Sequence, residues 1–425
     1  MSRNRNLWAP GIGLGVAVVI LAMLAPGAWA QSSFKTLHRF NKHSRQGDQP
    51  VAGLIFDQAG NLYGTASLGG PDGQGSVFEL IRNSEGIWKA AAIYTFTGGA
   101  DGGIPLGTLI FDQAGNLYGT TRQGGAHQSG TVFKLTPGTS GIWTETVLYS
   151  FCALSNCSDG AVPFSRLIFD QAGNLYGTTL EGGLSSACTG GCGTAFELTP
   201  NSGGTWTESV LYSFCSLKNC RDGAFPFVGG LVFDPAGNLY GTTEFSGDES
   251  GGGVVFELSP NGDGSWKESV LHAFCSLKNC HDGANPLDTL IFDKAGNLYG
   301  TAEGGGAGAG VVFELSPIGD GRWKEKVLHS FAGRNGAVPY AGLIFDQAGN
   351  LYGTTFEGGV PGGGVVFKLT PHATGAWGET VLHDFSDKAG AIPFSGLIFD
   401  TAGNLYGTTY GDSNSTFGSV YEITP

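Results

Sequence analysis

The stretch Leu167-Ile168-Phe169-Asp170-Gln171-Ala172-Gly173-Asn174-Leu175-Tyr176-Gly177-Thr178 decides the fold, because the chain repeats it seven times with small changes. The aspartates marking the copies are Asp57, Asp112, Asp170, Asp234, Asp293, Asp346 and Asp400, spaced 53 to 64 residues apart. A period of that size describes an array of small units, none of which buries a core alone.

Outward from Asp170, one unit reads as four strands. Leu167-Ile168-Phe169 is a short apolar run suited to a buried inner strand. Asp170 to Asn174 is a tight turn in which Gly173 is free to take positive φ and Asp170 can bond back to the backbone. Asn174 to Thr179 is the second strand, with Leu175 and Tyr176 on opposite faces. A glycine-rich loop from Glu181 leads to a third strand, Thr194 to Leu198. The turn Pro200 to Gly204 then leads to Trp206 and a fourth strand ending at Phe214.

Seven such meanders predict an all-β fold, a seven-bladed β-propeller of four-stranded blades. A parallel β-helix has much shorter coils and no use for a Trp-bearing hairpin. The last copy reaches Val420-Tyr421-Glu422-Ile423 without a fourth strand. Phe34 to Phe40 matches the missing pattern (compare Leu382-His383-Asp384-Phe385), so the N-terminal strand is expected to complete the last blade and close the ring.

Residues 1–30 have the grammar of a secretory signal peptide: basic Arg3 and Arg5, an apolar run from Gly11 to Leu24, and Ala28-Trp29-Ala30 before the cleavage point. An uncleaved N-terminal anchor is the alternative. The mature chain is then a single propeller domain from Gln31 to Pro425, with no membrane span, secreted or periplasmic. Loss of Arg3 and Arg5 takes the net charge from −14 to −16, with no basic cluster to offset it. That excludes nucleic acid and anionic membranes as natural partners.

Eight cysteines fall into four local pairs: Cys152/Cys157, Cys215/Cys220 and Cys275/Cys280 with four residues between, and Cys188/Cys192 with three. In an exported protein they read as four disulfides. A zinc site is the alternative reading, but no histidine pattern accompanies the pairs except His281 beside one of them.

The connections from fourth to first strand and from second to third share one face, which carries the long, variable, disulfide-clipped loops. Ligands bind at variable loops on rigid scaffolds, so function is expected there, around the axis. The repeated Tyr63, Tyr118, Tyr176, Tyr240, Tyr299, Tyr352 and Tyr406 are expected to pack between blades. Exceptions to the repeat are the candidate ligand-binding residues. Arg166 and Asp288 stand just before inner strands where other units carry small residues. Arg122, Glu181, Glu244, Glu303 and Glu357 occupy the loops after second strands. Phe164, Phe227, Tyr340 and Phe394 follow the blade prolines and offer apolar or stacking surface.

No catalytic residue is assigned, because no nucleophile elbow, zinc-protease helix or phosphate loop occurs. The Asp-x-Ala-Gly-Asn turns lack the later acidic ligands of a calcium loop. No cofactor and no metal are expected, and the protein is read as a monomer.

The unit Phe-Asp-x-Ala-Gly-Asn-Leu-Tyr-Gly-Thr-Thr, then Gly-Gly, then Val-Phe-Glu-Leu, resembles the GloVer-type tandem repeat of bacterial "choice-of-anchor" exported proteins, from Phe34 to Pro425. The resemblance implies an exported bacterial β-propeller and carries over no catalytic residues. Such proteins often bear a C-terminal surface anchor. Kelch and NHL propellers are similar in architecture. The expected function is non-enzymatic binding or scaffolding of a protein or carbohydrate ligand on the loop-rich face. The alternative is a carbohydrate-active lyase or hydrolase at the channel mouth, with Arg166 holding an acidic sugar.

Overall fold

Each copy of the repeat folds into an antiparallel four-stranded meander, and seven such sheets make a seven-bladed propeller. The computed structural model describes residues 32–41, 44–246, 251–386, 391–411 and 417–425, all within the unit Ser32–Pro425. The signal-peptide expectation falls on residues 1–30 and lies outside the described residues. We number the blades by their inner strands: Ile55–Phe56 (I), Ile110–Phe111 (II), Ile168–Phe169 (III), Val232–Phe233 (IV), Ile291–Phe292 (V), Ile344–Phe345 (VI) and Ile398–Phe399 (VII). The described residues contain no α-helix, only short 3-10 turns in the loops.

Blade III shows why the sequence folds this way. After Ile168–Phe169, the Asp170 carboxylate accepts the amides of Ala172 and Asn174 and the Asn174 side-chain amide, each at 2.8 Å, which shapes the turn. Gly173 supplies the positive φ of 89°. The chain returns as Leu175–Glu181, then Thr194–Pro200 and Trp206–Ser213, each antiparallel to its predecessor.

The inner strand is interrupted. Pro163 pairs with Thr179 and Ile168 with Tyr176, so residues 164–167 stand opposite only Gly177 and Thr178. The surplus residues bulge toward the axis, and Arg166 sits in that bulge. Gly177 is glycine because a Cβ there would lie 2.7 Å from Phe196 and 2.9 Å from Leu167. The same crowding recurs in the other blades, as at Gly119 and Gly241.

The N-terminal strand Ser33–Arg39 pairs with Ser419–Thr424 and completes blade VII. The core lies between blades rather than within them: each hydrophobic cluster mixes residues of two neighbouring sheets. Each repeat tyrosine meets the inner-strand phenylalanine of the next blade edge to face at 5.0–5.2 Å, from Tyr63–Phe111 round to Tyr406–Phe56. A second circle of aromatic pairs lies further out, at 4.9–5.1 Å, from Phe96–Phe133 to Phe40–Phe78. Because aromatic pairs of this geometry attract beyond their buried area, the seams are where the ring is held.

On the loop-rich face a strained latch repeats seven times. The residue before each blade proline (Gln49, Ile104, Val162, Phe225, Asn285, Val338 and Ile392) has φ of 54–67°. That conformation is disfavoured for branched side chains and before proline. It persists because each amide donates to a loop carbonyl of the preceding blade at 2.7–2.9 Å, as Phe225 does to Cys192. The strain thus ties adjacent rims together.

Candidate functional site

The residues overhanging the axis come from the inner-strand bulges. The leucine of each bulge turns back into the core: Leu54, Leu109, Leu167, Leu231, Leu290, Leu343 and Leu397 are all buried. In five of the seven blades, the carbonyl two positions before it accepts the second-strand threonine hydroxyl of the preceding blade, whereas the Thr65 and Thr178 hydroxyls are buried without a partner. Thr120 reaches Ser165 at 3.2 Å, Thr242 reaches Asp288 at 3.3 Å, and Thr301, Thr354 and Thr408 reach Ala341, Ser395 and Ala52 at 3.1 Å. This collar holds the bulges in place and so fixes the side chains at the mouth.

Arg166 and Asp288 both stand in this collar, but one register position apart. Arg166 is exposed and lies beside Gly230 of blade IV. The protein walls around it pull its pKa down, while the charge of Asp288 opposes that shift. Asp288 accepts the amide of Thr289 at 2.6 Å and that of Gly342 in blade VI. Burial pushes its carboxyl up, against those hydrogen bonds and the Arg166 charge. The two side chains do not touch as an ion pair. Asp288 is engaged in tying blade V to blade VI, and Arg166 is the freer of the two.

The ends of the second strands divide the acidic candidates. Glu181 and Glu357 stand opposite Ala161 and Ala337 in the sheet register. Arg122, Glu244 and Glu303 occupy the position one residue earlier, and a one-residue step turns a strand side chain to the other face. Glu181 accordingly lies against the loop clipped by Cys188–Cys192, where a Cβ on Gly190 would come within 2.9 Å of its carboxylate. Arg122 is exposed on blade II.

Glu244, Glu303 and Tyr340 do converge, from blades IV, V and VI. Tyr340 is within hydrogen-bonding reach of Glu303, and the charges of Glu244 and Glu357 also act on it. Burial first, then the Glu303 charge, push the Glu244 carboxyl up to about 7. Burial also raises Glu303, with Tyr340 opposing. Burial and these carboxylates together push the Tyr340 hydroxyl above its usual value.

Aromatic rings flank the carboxylates on both sides. Tyr340 stacks on Phe394 at 5.2 Å and contacts Phe356 at 5.1 Å. On the other side Phe227 stacks on Phe164 at 4.7 Å. Next to that stack Leu180, Phe225, Phe227, Glu244 and Phe245 line a pocket of about 370 Å³. The mouth is therefore polarised: Arg122 and Arg166 come from blades II and III, and Glu244, Asp288 and Glu303 from blades IV and V. Phe225 and Phe245 escape a reading by repeat position. The signal for them is their adjacency to Pro226 and to Glu244.

Two larger grooves, of about 590 Å³ each, lie on the opposite face between blades VI, VII and I. Their walls are the repeat turns, whose aspartates are already occupied. Asp57 accepts the amides of Ala59 and Asn61 and the Asn61 side chain at 2.8–2.9 Å. The loop-rich mouth is where uncommitted polar groups gather.

The eight cysteines form four disulfides, Cys152–Cys157, Cys188–Cys192, Cys215–Cys220 and Cys275–Cys280, a pattern suited to an oxidising compartment. No helix among the described residues is long and apolar enough to cross a membrane.

The family model described as the Gloeobacter/Verrucomicrobia repeat matches residues 26–190, 93–290 and 264–425. No curated protein matches the chain. Among solved structures, a protein from Lactobacillus plantarum matches at 14% identity and a TM-score of 0.50, over 86% of this chain and 99% of that one. The PQQ-bound aldose sugar dehydrogenase from Streptomyces coelicolor matches at 14% identity and a TM-score of 0.47, over 75% and 93%. The first is a likeness of fold alone, and the second superposes too loosely to bear on this chain.

Proposed function

Starting from a chain that belongs to the Gloeobacter/Verrucomicrobia repeat family, we propose an exported, non-catalytic binding propeller whose loop-rich mouth engages a glycan. The leader-like residues 1–30 and the four disulfides support export.

The observation that carries the reading is the Tyr340–Phe394 stack, with Glu303 within hydrogen-bonding reach of Tyr340 and the charge of Glu244 acting on it. An aromatic platform receives the apolar face of a sugar ring, and carboxylates accept its hydroxyls. A pocket of about 370 Å³ suits a small group better than the flat area, roughly 800 Å² a side, of a stable protein interface.

One observation favours the enzymatic alternative: Glu244 is held at about 7 beside Glu303, as an acid/base pair for glycoside cleavage requires. A panel of glycans and polysaccharides, scored for both retention and product release, separates the two. Binding without new reducing ends is expected, with Tyr340→Ala weakening it about tenfold. Product release abolished by Glu244→Gln would replace binding with catalysis. Retention of no glycan at all would overturn both.

A further inference from the structure

The pocket between blades III and IV has a chemistry of its own. Phe225 and Phe245 meet edge to face at 6.0 Å with an interplanar angle of 88°. Phe227 is held by its stack on Phe164, and Leu180 closes the apolar wall. Among the lining residues Glu244 has the one polar side chain.

These walls are set in advance. Phe225 is locked in its left-handed conformation, φ 58°; its amide donates to Cys192 at 2.9 Å, and its carbonyl accepts the Glu244 amide at 3.0 Å. Ala224 bridges to Phe245. The disulfides Cys188–Cys192 and Cys215–Cys220 staple the loops on either side. A pocket ordered before binding loses less entropy when it fills.

Its electrostatics has one sign. Aromatic faces carry negative potential, Glu244 adds a carboxylate, and Glu303 stands behind it. Among the described residues no lysine or arginine comes within ion-pair distance of Glu244, Glu303 or Glu357; the ion pairs present involve His272, Arg322 and His329. A neutral apolar guest would leave the glutamate desolvated without a counter-charge, which is costly. A bare metal ion would find one carboxylate where it needs several oxygens.

We infer that this pocket binds an alkylammonium group. Its methyl or methylene shell packs on Leu180 and the phenylalanines, and its charge is shared between the ring faces and Glu244. The inference uses the same face as the glycan reading but does not require the ligand to be a sugar.

The test is calorimetric titration of the oxidised full chain with choline and with its uncharged carbon isostere, 3,3-dimethyl-1-butanol. Choline is expected to bind about tenfold or more tighter than the isostere. Glu244→Gln and Phe245→Leu are each expected to weaken choline about fivefold or more while keeping the parent's circular dichroism spectrum. Equal affinity for the two probes, or binding of neither, overturns the inference on the unmodified protein. So does choline binding that both variants leave intact. A glycan bound through Tyr340 with no response to choline keeps the glycan reading and removes this one; choline binding without any glycan does the reverse.

Discussion

Five blades carry a glutamate two residues after the outer-hairpin tryptophan: Glu145, Glu208, Glu268, Glu325 and Glu379. In all five, Oε1 is buried without a hydrogen-bond partner. The first four feel Asp101, Asp159, Asp222 and Asp282 across the seam, whereas Asn335 donates to Glu379 at 2.7 Å. Burial, then those aspartate charges, push the four carboxyls up to about 7, 8, 8 and 7. Each folded pKa lies above the ordinary 4.5. The seam's contribution is therefore complete below that value and is lost as pH rises through 7 to 8.

Replacing the four glutamates together by glutamine keeps shape and removes the titration. The groups are only half-buried, so solvent screening leaves roughly 1 kcal/mol per site at pH 9. Sites one blade apart add, giving about 4 kcal/mol, or roughly 5 °C for a unit of this length. Thermal melts at pH 5 and pH 9 provide the measurement. The fourfold variant should melt higher than the parent at pH 9 and show no gain at pH 5. An equal gain at both values, or a parent whose melting temperature is flat between them, would refute the reasoning.

Two further outcomes test the fold. Gly177→Ala forces a Cβ against the fully buried Phe196 and Leu167 and should cost about 1–3 kcal/mol in denaturant unfolding; Gly203→Ala, with open space around it, is the silent control, and equal stability of the two would contradict the packing argument. A mature chain beginning at residue 41 loses the strand Ser33–Arg39 and bares Ser419–Thr424. It should elute from a sizing column as oligomers or aggregate, and a monomer with unchanged melting would show that ring closure is dispensable.

The blades were legible because their order is local. Strands adjacent in sequence are adjacent in the sheet, and Asp170 to Tyr176 interact across six residues. The displaced strand Phe34 to Phe40 was legible too, since the last unit lacks one. Less was visible at the mouth. Glu181 and Glu303 look alike in the loops, yet they stand one register position apart, and only Glu303 reaches Tyr340. The seam glutamates look like exposed hairpin positions until the next blade covers them. Their recurrence at the same offset from tryptophan was the available signal.

By itself, then, the sequence determined seven repeats, their strand order, the closure of the ring and the pairing of eight cysteines, because each depends on contacts within a few tens of residues or on simple counting. Only the tertiary structure decided that Asp288 is spent on the Gly342 amide, that Glu244, Glu303 and Tyr340 share one rim, and that Phe225 and Phe245 wall a pocket beside them. Those contacts join different blades or depend on strand register and bulge geometry, and a side chain's direction at such points is set by the neighbouring blade that packs against it.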